Sequence, residues 1–264
     1  MSASKFEVQT KGRGLPSIGI LAGVEGIGKT SWGCCAPSPF FLMTRGETGL
    51  ETLLDAGRVP DTPHFPEIKT WMEFLDALKW LIENEHAYKT LVIDTIGGAE
   101  RLCHEHVCKR DYGGQWGEKG FTSYMQGYEV SLADWRDLLT LLTGLRDQKR
   151  MTIVCLNHVK IAPFHNPEGK DYDRYTVDMH HKTWSLTHRW ADWVLFANFY
   201  TVTKEEGGEK TKGAGGKKRI IYTERSAAWD AKNRFGLPPE IEMGNSAQEA
   251  FTNFITALKA ARGK

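Results

Sequence analysis

The chain has 264 residues with a formal net charge of +1 at pH 7, and 25% of its residues are charged. This length accommodates one well-buried α/β domain, and the near-neutral charge excludes a globally basic nucleic-acid binder, so any contact with a polyanion must come from local patches. The sequence lacks an apolar stretch of the roughly 18–20 residues that cross a bilayer, a signal-peptide core and the cysteine density of a disulfide scaffold, so we expect a cytoplasmic protein with reduced thiols at its five cysteines.

The first predicted strand, residues 17–23, leads into a segment that matches G-x-x-x-x-G-K-[ST] at each fixed position, and a helix-forming segment follows. In such a loop the glycines let backbone N–H groups turn inward around phosphate oxygens, and the helix N-terminus adds its positive dipole end. Lys29 would reach the β- and γ-phosphates, and the Thr30 hydroxyl would ligate Mg²⁺. The predicted nucleotide-binding residues are Gly23, Val24, Glu25, Gly26, Ile27, Gly28, Lys29, Thr30 and Ser31.

A second predicted strand, residues 39–44, is followed closely by Glu47. A carboxylate just beyond a strand that neighbours the phosphate loop can poise a water molecule against the γ-phosphate, so we interpret Glu47 as the general base. The alternative is a loop glutamate that only begins the following helix. Glu51 is a poorer substitute, because it is expected to point along that helix.

The third predicted strand, residues 90–95, is a short apolar run that ends in Asp94 and is typical of a strand buried on both faces. In phosphate-loop enzymes a second carboxylate at such a strand end holds the magnesium through water. We therefore predict that Thr30 and Asp94 form the magnesium site. A helix is predicted before this strand from an apolar stripe at helical spacing, Trp71, Phe74, Leu75, Leu78, Leu81 and Ile82.

A helix at 132–145 and a buried strand at 151–158 come next, and the strand ends in Asn157 and His158. A polar pair at this strand edge could sense the γ-phosphate, and the alternative is a strand-end histidine that caps a turn. From Val159 to about Trp184 the sequence is polar and without clear period, which predicts a long functional loop.

The remaining sequence predicts a strand at 191–202, a flexible hairpin tip at 204–218, a return strand at 219–224 and a last amphipathic helix. Together these elements indicate an α/β fold with a mostly parallel sheet flanked by helices, a C-terminal β-hairpin and a C-terminal helix. We expect a single domain over 1–264, with a flexible N-terminal segment at 1–14 and a C-terminal helix within 243–264.

The segment "CHEHVC" at 103–108 raises the question of a metal site. Four ligands cannot converge from one helix, and no second cluster with zinc-finger spacing follows. The sequence therefore favours no metal here, although it does not decide the question.

The order of these features resembles the RecA-core ATPases: a phosphate loop, Glu47 after the second strand, "LVIDT" ending at Asp94, and a strand ending in Asn157 and His158 before a long loop. It is more narrowly similar to short phage-encoded RecA-core proteins, often described as AAA ATPases, which include the Sak-type single-strand annealing proteins. The segment "AKNRFGLP" at 231–238 adds to this similarity, which covers about 15–242.

The resemblance implies a RecA-like P-loop core that uses ATP and Mg²⁺, with Lys29, Glu47 and Asp94 as catalytic residues. His158 would be the sensor, where cellular recombinases usually have Gln, and "TRGE" stands where the usual pattern is closer to "DTEG". The resemblance also implies that Lys232 and Arg234 act on a neighbouring subunit's nucleotide. Such a finger is worth about 10³–10⁵ in rate, and it requires a homo-oligomer, a ring or a filament.

Two mobile loops of RecA-like proteins face single-stranded DNA, and here they would correspond to 112–126 and 159–185. Both mix aromatic and cationic groups, which stack bases and neutralise phosphates, with stacking worth roughly 1–3 kcal/mol per base. Asp171, Asp173 and Asp178 oppose a simple electrostatic patch. The nucleic-acid candidates are Trp116, Lys119, Phe121, Lys160, Lys170, Arg174, Tyr175, Lys182 and Trp184. A cluster in the hairpin is interpreted mainly as a solvated tip, with DNA binding as the alternative: Lys210, Lys212, Lys217, Lys218 and Arg219.

The leading hypothesis is an ATP-hydrolysing recombination protein that binds single-stranded DNA and anneals or pairs strands, with a single-strand-binding protein as a candidate helper. If the chain is phage-encoded, the host cytoplasm is its expected location. One alternative is a nucleotide-gated assembly protein with negligible turnover. Another is a P-loop kinase of a small phosphate acceptor, although no arginine-bearing lid is evident. A helicase of the same core class has no obvious extra motor domain to support it.

Overall fold

The computed structural model describes residues 10–206 and 210–263, without the side chains of 202–206 and 210–215. The strands in this part are β1 (Ile18–Gly23), β2 (Pro39–Met43), β3 (Thr90–Asp94), β4 (Thr152–Phe164), β5 (Tyr172–Val177), β6 (Trp193–Glu206), β7 (Lys210–Tyr222), β8 (Lys232–Asn233) and β9 (Glu240–Glu242). The helices are α1 (Lys29–Cys34), α2 (Gly49–Asp55), α3 (Trp71–Glu83), α4 (Ile96–Tyr112), α5 (Gln126–Gln148), α6 (His181–Trp190) and α7 (Ala247–Arg262).

The strands form one sheet in the order β2-β3-β4-β1-β6-β7-β9, with β5 paired to β4 and β8 paired to β6. The pairs β2·β3, β3·β4, β4·β1 and β1·β6 are parallel, so the carboxyl ends of these strands meet at one edge of the sheet. β4 lies between β1, which leads into the phosphate loop, and β3, which ends at Asp94. The predicted α/β fold with a mostly parallel sheet is confirmed.

The central strands are buried on both faces, as continuous apolar runs require. Alternate residues of β1 enter different cores: Ile18 and Ile20 pack with α3, α4 and α5, whereas Leu21 packs with α1 and α7. The sheet is therefore the middle layer of three.

The predicted stripe of α3 faces the first of these cores, where Trp71, Phe74 and Leu78 are buried. The helix begins at this point because Thr70 and Glu73 form a capping box with each other's backbone N–H groups. The ring centres of Trp71 on α3 and Trp135 on α5 lie 6.2 Å apart, so these two helices pack against each other on this face of the sheet.

The second core ties the C-terminal helix to the helix after the phosphate loop. Trp32 of α1 packs against Phe251 and Phe254 of α7, at ring distances of 4.9 and 5.3 Å. The Ser246 side chain accepts a hydrogen bond from the N–H of Glu249 at 3.0 Å, which caps the start of α7. This packing brings the start of α7 close to the phosphate loop.

The prediction of a long loop from Val159 to Trp184 is wrong. β4 continues to Phe164 and pairs with β5 as an antiparallel hairpin, and α6 follows. The predicted hairpin tip at 204–218 is also too long, because β6 runs to Glu206 and β7 begins at Lys210. Hydrogen bonds between the backbones of its two strands hold together a hairpin that projects from the core. Its sequence therefore shows little of the apolar periodicity by which strands are predicted.

Of the segment 1–14, residues 1–9 lie outside the described part, and Arg13 pairs with Asp147 at 3.0 Å. The cysteines at 34, 35, 103, 108 and 155 are free thiols. Within the described residues, no helix has the length and apolar character needed to span a membrane.

Candidate functional site

The phosphate loop leaves β1 and turns tightly into α1. Gly26 and Gly28 have φ values of 70° and 100°, in the left-handed region that glycine adopts without strain. A Cβ atom at Gly28 would lie 3.1 Å from Nη1 of Arg219, so a side chain there would crowd the loop. The backbone forms the open cradle that a phosphate group requires.

Lys29 lies inside this cradle, where the residue is 7% exposed. Its Nζ donates to the carbonyl oxygens of Gly23 and Val24, at 2.9 and 3.1 Å. Burial lowers the pKa of Lys29, and the nearby carboxylates of Asp94 and Glu47 only partly oppose this. A buried ammonium group facing the loop is suited to bind an anion.

Thr30 and Asp94 come from α1 and β3 and meet beside the loop. The Thr30 hydroxyl donates to Oδ2 of Asp94 at 2.7 Å. Burial raises the pKa of Asp94, although the hydrogen bond from Thr30 favours the ionised form. A hydroxyl and a carboxylate are hard oxygen ligands of the kind that Mg²⁺ takes, usually beside water and phosphate oxygens. The two residues therefore fit the predicted magnesium site.

Glu47 is held at the same edge of the sheet by hydrogen bonds to residues at the ends of β2, β3 and the buried part of β4. The N–H of Glu47 donates to the carbonyl oxygen of Thr44. The N–H of Thr44 in turn donates to the carbonyl oxygen of Asp94, at the end of β3. The Thr95 hydroxyl donates to Oε1 of Glu47 at 3.1 Å, and Nε2 of His158 lies 3.4 Å from Oε2. Burial favours the neutral carboxyl, but these hydrogen bonds and the nearby positive charges of His158 and Arg101 together hold the pKa of Glu47 below its ordinary value. The ionised form is the one that accepts a proton.

Of the two polar residues that end the buried part of β4, only His158 reaches the site. It pairs in register with Gly23, at the start of the phosphate loop. Asn157 is 1% exposed, and its Oδ1 accepts from the N–H groups of Gly97 and His158. Asn157 therefore joins β4 to the start of α4, and His158 is the candidate sensor.

These residues line one pocket of about 660 Å³. Its predicted members are Glu25, Gly26, Gly28, Lys29, Thr30, Ser31, Glu47, Asp94 and His158. Ile27, also predicted, has a side chain buried in the core with α7, so only its backbone can serve the loop. Glu51 is exposed on α2 and is not among the lining residues, which leaves Glu47 as the carboxylate in position for a base.

Sequence reasoning missed the residues that complete the pocket from α2, from the turn after it and from the C-terminal region: Gly49, Thr52, Leu53, Arg58, Arg219, Asn245, Ser246 and Ala247. The interpretation of Arg219 as part of a solvated hairpin tip is wrong, because its guanidinium contacts the phosphate loop. Ser246 and Glu249 have the spacing of a capping box, which could have placed the start of α7. Nothing in the sequence places that start beside the loop.

Lys232 and Arg234 lie elsewhere, at β8 and just beyond it, against the start of β6. Lys232 Nζ donates to the carbonyl oxygen of His188, and Arg234 donates to that of Arg189 at 2.8 Å. Arg234 also pairs with Asp192 at 3.2 Å. Within one chain these cations bind the last carbonyls of α6 and do not line the phosphate pocket. Their action on a neighbouring subunit stays a prediction.

The segment between α4 and α5 presents aromatic side chains, but not all those predicted. Phe121 is fully buried against Tyr112 and Tyr128, so its assignment as a base-stacking residue is wrong. Trp116 is 42% exposed, and Tyr124, which sequence reasoning did not select, is 93% exposed. Tertiary packing decides which of the rings in this segment is buried, and the amino-acid composition of the segment does not reveal it.

The β4–β5 hairpin and α6 hold the other candidates, many of them engaged within the chain. Lys160 pairs with Asp178 at 2.9 Å, and Arg174 lies over the ring of Phe164 at 5.1 Å. Lys170 is exposed.

The aromatic candidates of this region are less accessible. Tyr175 packs on Phe196 with ring centres 5.1 Å apart, and Trp184 is partly buried against the first core. These two rings are therefore only partly available for stacking on a base.

The two candidate nucleic-acid regions adjoin each other. The ring of Tyr128 stacks on that of His180 at 4.1 Å, and Lys182 pairs with Glu129. Beneath them the buried carboxylate of Glu100 accepts from the N–H of His180 at 3.0 Å, and burial raises the pKa of Glu100 to about 7. The start of α5, which follows the first region, therefore contacts the start of α6 in the second.

The "CHEHVC" segment lies on α4 and has a packing role. His104 is buried between the rings of Phe121 and Tyr128, and burial lowers its pKa to about 4. Over the residues that the structure describes, no group of three or more His, Cys, Asp or Glu side chains is placed to hold a metal ion.

Comparison with known proteins gives one family. A family model described as an AAA domain matches residues 16–235, more than four fifths of the chain. The matched range holds the phosphate loop, Glu47, Asp94 and His158, and it ends before α7. Among curated proteins, none matches this chain.

Proposed function

The chain belongs to the AAA domain family of nucleotide-binding ATPases, and from this premise we propose that it hydrolyses ATP to drive the annealing or pairing of DNA strands. The observation that supports hydrolysis is the convergence of Lys29, the Thr30–Asp94 pair and Glu47 in one pocket. Lys29 and Thr30 lie on α1, Asp94 ends β3 and Glu47 follows β2. Each has the chemistry that one part of the reaction needs.

Each residue has a separate role in this proposal. Lys29 and the loop N–H groups bind the phosphates, and Thr30 and Asp94 hold Mg²⁺, which when bound neutralises charge on the phosphate oxygens. Glu47 orients a water molecule and accepts its proton. His158 keeps Glu47 ionised and in place, as the depressed pKa of Glu47 indicates.

His158 also provides a physical link to the proposed DNA surface. The β4–β5 pairing begins at Val159, and the N–H of Asp178 closes the base of this hairpin on the carbonyl oxygen of His158 at 3.0 Å. A displacement of His158 by the terminal phosphate would therefore move the hairpin. This is the connection that a DNA-coupled ATPase requires.

The DNA part of the proposal is supported by exposed aromatic and cationic groups on the surface formed by 113–129 and 160–184. Trp116 and Tyr124 present rings that can stack on bases, and Lys119 and Lys170 are exposed cations. The resemblance to Sak-type phage proteins supports single strands as the ligand. It also supports an oligomer in which Lys232 and Arg234 complete a neighbour's site.

The test is steady-state ATP hydrolysis with and without single-stranded DNA, with size analysis of the same mixtures. We expect DNA to stimulate turnover and to enlarge the assembly. Trp116→Ala should remove the stimulation and leave basal turnover unchanged. The matched control is Trp80→Ala on α3, because Trp80 and Trp116 have exposed fractions of 41% and 42%.

Each contrary result points to a particular alternative. Basal hydrolysis by a monomer that DNA neither binds nor stimulates would overturn the DNA part, and small phosphate acceptors would then be screened for kinase activity. Nucleotide-dependent assembly without turnover would instead indicate an assembly switch.

A further inference from the structure

Arg219 lies on β7 and reaches the phosphate loop from the C-terminal part of the chain. Its Nη1 donates to the carbonyl oxygen of Ile27 at 3.2 Å, and its Nη2 donates to that of Gly244 at 3.0 Å. The same guanidinium lies beside Gly28 and lines the nucleotide pocket. Arg219 thus connects the phosphate loop to the segment that begins α7.

The sheet order shows which end of a nucleotide Arg219 faces. β4, β3 and β2 lie on one side of β1 and carry His158, Asp94 and Glu47 to the pocket, whereas β6 and β7 lie on the other side. Because the hydrolysed phosphate has to lie beside Glu47, the nucleoside end of the molecule extends away from that side. Arg219 is therefore placed at the part of the pocket nearer the nucleoside.

The chemistry of the side chain suits this position. A guanidinium has five N–H donors in a fixed plane and keeps its charge at all ordinary pH values. The structure assigns one N–H of Arg219 to each of two carbonyl oxygens. The remaining donors and the positive charge are available to an oxyanion in the pocket that Arg219 lines.

We propose that Arg219 is a nucleotide-binding residue that contacts the α-phosphate and, through Gly244, joins nucleotide binding to the capped start of α7. This inference rests on the proposed nucleotide-binding function. It assigns to Arg219 a contact on the opposite side of the loop from the hydrolytic residues. Arg219 then contributes to affinity for ATP and ADP and not to the chemical step.

The test compares ligands that have an α-phosphate with one that lacks it. Binding of ATP, ADP and inorganic pyrophosphate, each with Mg²⁺, is measured by calorimetry for the wild type and Arg219→Gln. We expect the variant to bind ATP and ADP about 10-fold or more weakly, the size of a lost charge-assisted contact, and to bind pyrophosphate within about twofold of wild type. KM for ATP should rise while kcat at saturation stays within about twofold.

Two further variants control for charge and for folding. Lys217→Gln removes the same charge from an exposed position on the same strand and should bind all three ligands as wild type does. Arg219→Lys keeps the charge with one donor group and should recover part of the ATP affinity. If Arg219→Gln melts below the assay temperature, Arg219→Lys carries the same comparison between ATP and pyrophosphate.

The outcomes separate this inference from the proposed function. If the wild type binds no nucleotide, the proposed function itself fails. If the wild type binds ATP and the variant binds it equally well, the inference on Arg219 is overturned while the proposed function stands. A parallel loss of ATP and pyrophosphate affinity would also overturn it, because it would show that Arg219 only shapes the phosphate loop.

Discussion

Nε2 of His158 lies 3.4 Å from the carboxylate of Glu47, although 111 residues separate the two in the chain. Glu47 follows β2 and His158 lies in β4, and these strands are separated in the sheet by β3. The contact joins the candidate base to the residue just before the β4–β5 hairpin, so it links the carboxylate side of the pocket to the candidate DNA surface.

The first prediction concerns Glu47 as general base. Glu47→Gln keeps the size of the side chain but cannot accept a proton, so we expect kcat for ATP hydrolysis to fall by about 10²- to 10⁴-fold while the affinity for ATP stays near wild type. Steady-state kinetics and calorimetry measure the two quantities. Glu51→Gln is the matched control, and the assignment is wrong if that variant, and not Glu47→Gln, loses turnover.

The second prediction concerns the pH dependence of turnover. A base with a depressed pKa is active above that pKa and loses activity as the pH falls through it, which for Glu47 lies below the ordinary 4.5. His158→Ala removes a stabilising hydrogen bond and leaves the burial, so the acid limb of the kcat profile should move to higher pH. His158→Gln keeps a donor and should show a smaller shift. An acid limb at the same pH in all three proteins would contradict the role given to His158.

The third prediction concerns Lys29. Its buried ammonium group is the main positive charge inside the phosphate loop, so Lys29→Ala should abolish productive ATP binding and hydrolysis. Lys69→Ala, at an exposed position before α3, controls for the loss of one positive charge. Fluorescent-nucleotide binding and ATP turnover are the measurements. Normal turnover by Lys29→Ala would remove the basis for the phosphate-loop assignment.

The fourth prediction concerns Glu100, whose pKa is raised by burial from 4.5 to about 7. The protonated carboxyl of Glu100 makes its full contribution to the free energy of unfolding below pH 4.5. This contribution decreases as the pH rises to about 7, because the carboxyl ionises at lower pH in the unfolded chain than in the folded protein. Glu100→Gln has no such titration. From pH 5 to 8 the wild type should therefore lose on the order of 2–3 kcal/mol of unfolding free energy relative to the variant.

Urea unfolding at both pH values measures this difference. Glu118→Gln, at an exposed position between α4 and α5, serves as the control and should follow the wild type. Parallel pH curves for the wild type and Glu100→Gln would show that the carboxyl group of Glu100 does not titrate in this range in the folded protein.

The sequence and the structure place the same residues at the pocket where those residues are neighbours in the chain or follow strand ends. The phosphate loop is contiguous from Gly23 to Thr30, and its backbone shape follows from its own glycines. Asp94 and Glu47 were predicted from strands whose apolar runs are unmistakable, and parallel strands bring their carboxyl ends to one edge. Local chemistry and the polarity of the sheet were sufficient for these residues.

The secondary-structure predictions were wrong where strands pair through their backbones but their sequences lack an alternating apolar pattern. The residues from Val159 to Val177 form a hairpin, although their sequence resembles a loop. Phe121 and Tyr124 lie three positions apart, and one is buried while the other is 93% exposed. A composition of aromatic and cationic residues predicts a surface but does not decide which rings are presented.

The sequence by itself thus determined the phosphate loop, the carboxylates that follow the strands and the class of fold, because local patterns encode these features. Only the tertiary structure decided that Arg219, which is 192 residues from Ile27 in the chain, contacts the phosphate loop and that the start of α7 completes the pocket. The physical reason is that such contacts depend on the order of the strands and on the packing of α7 against α1. Long-range packing of this kind leaves no periodic trace in the residues that meet.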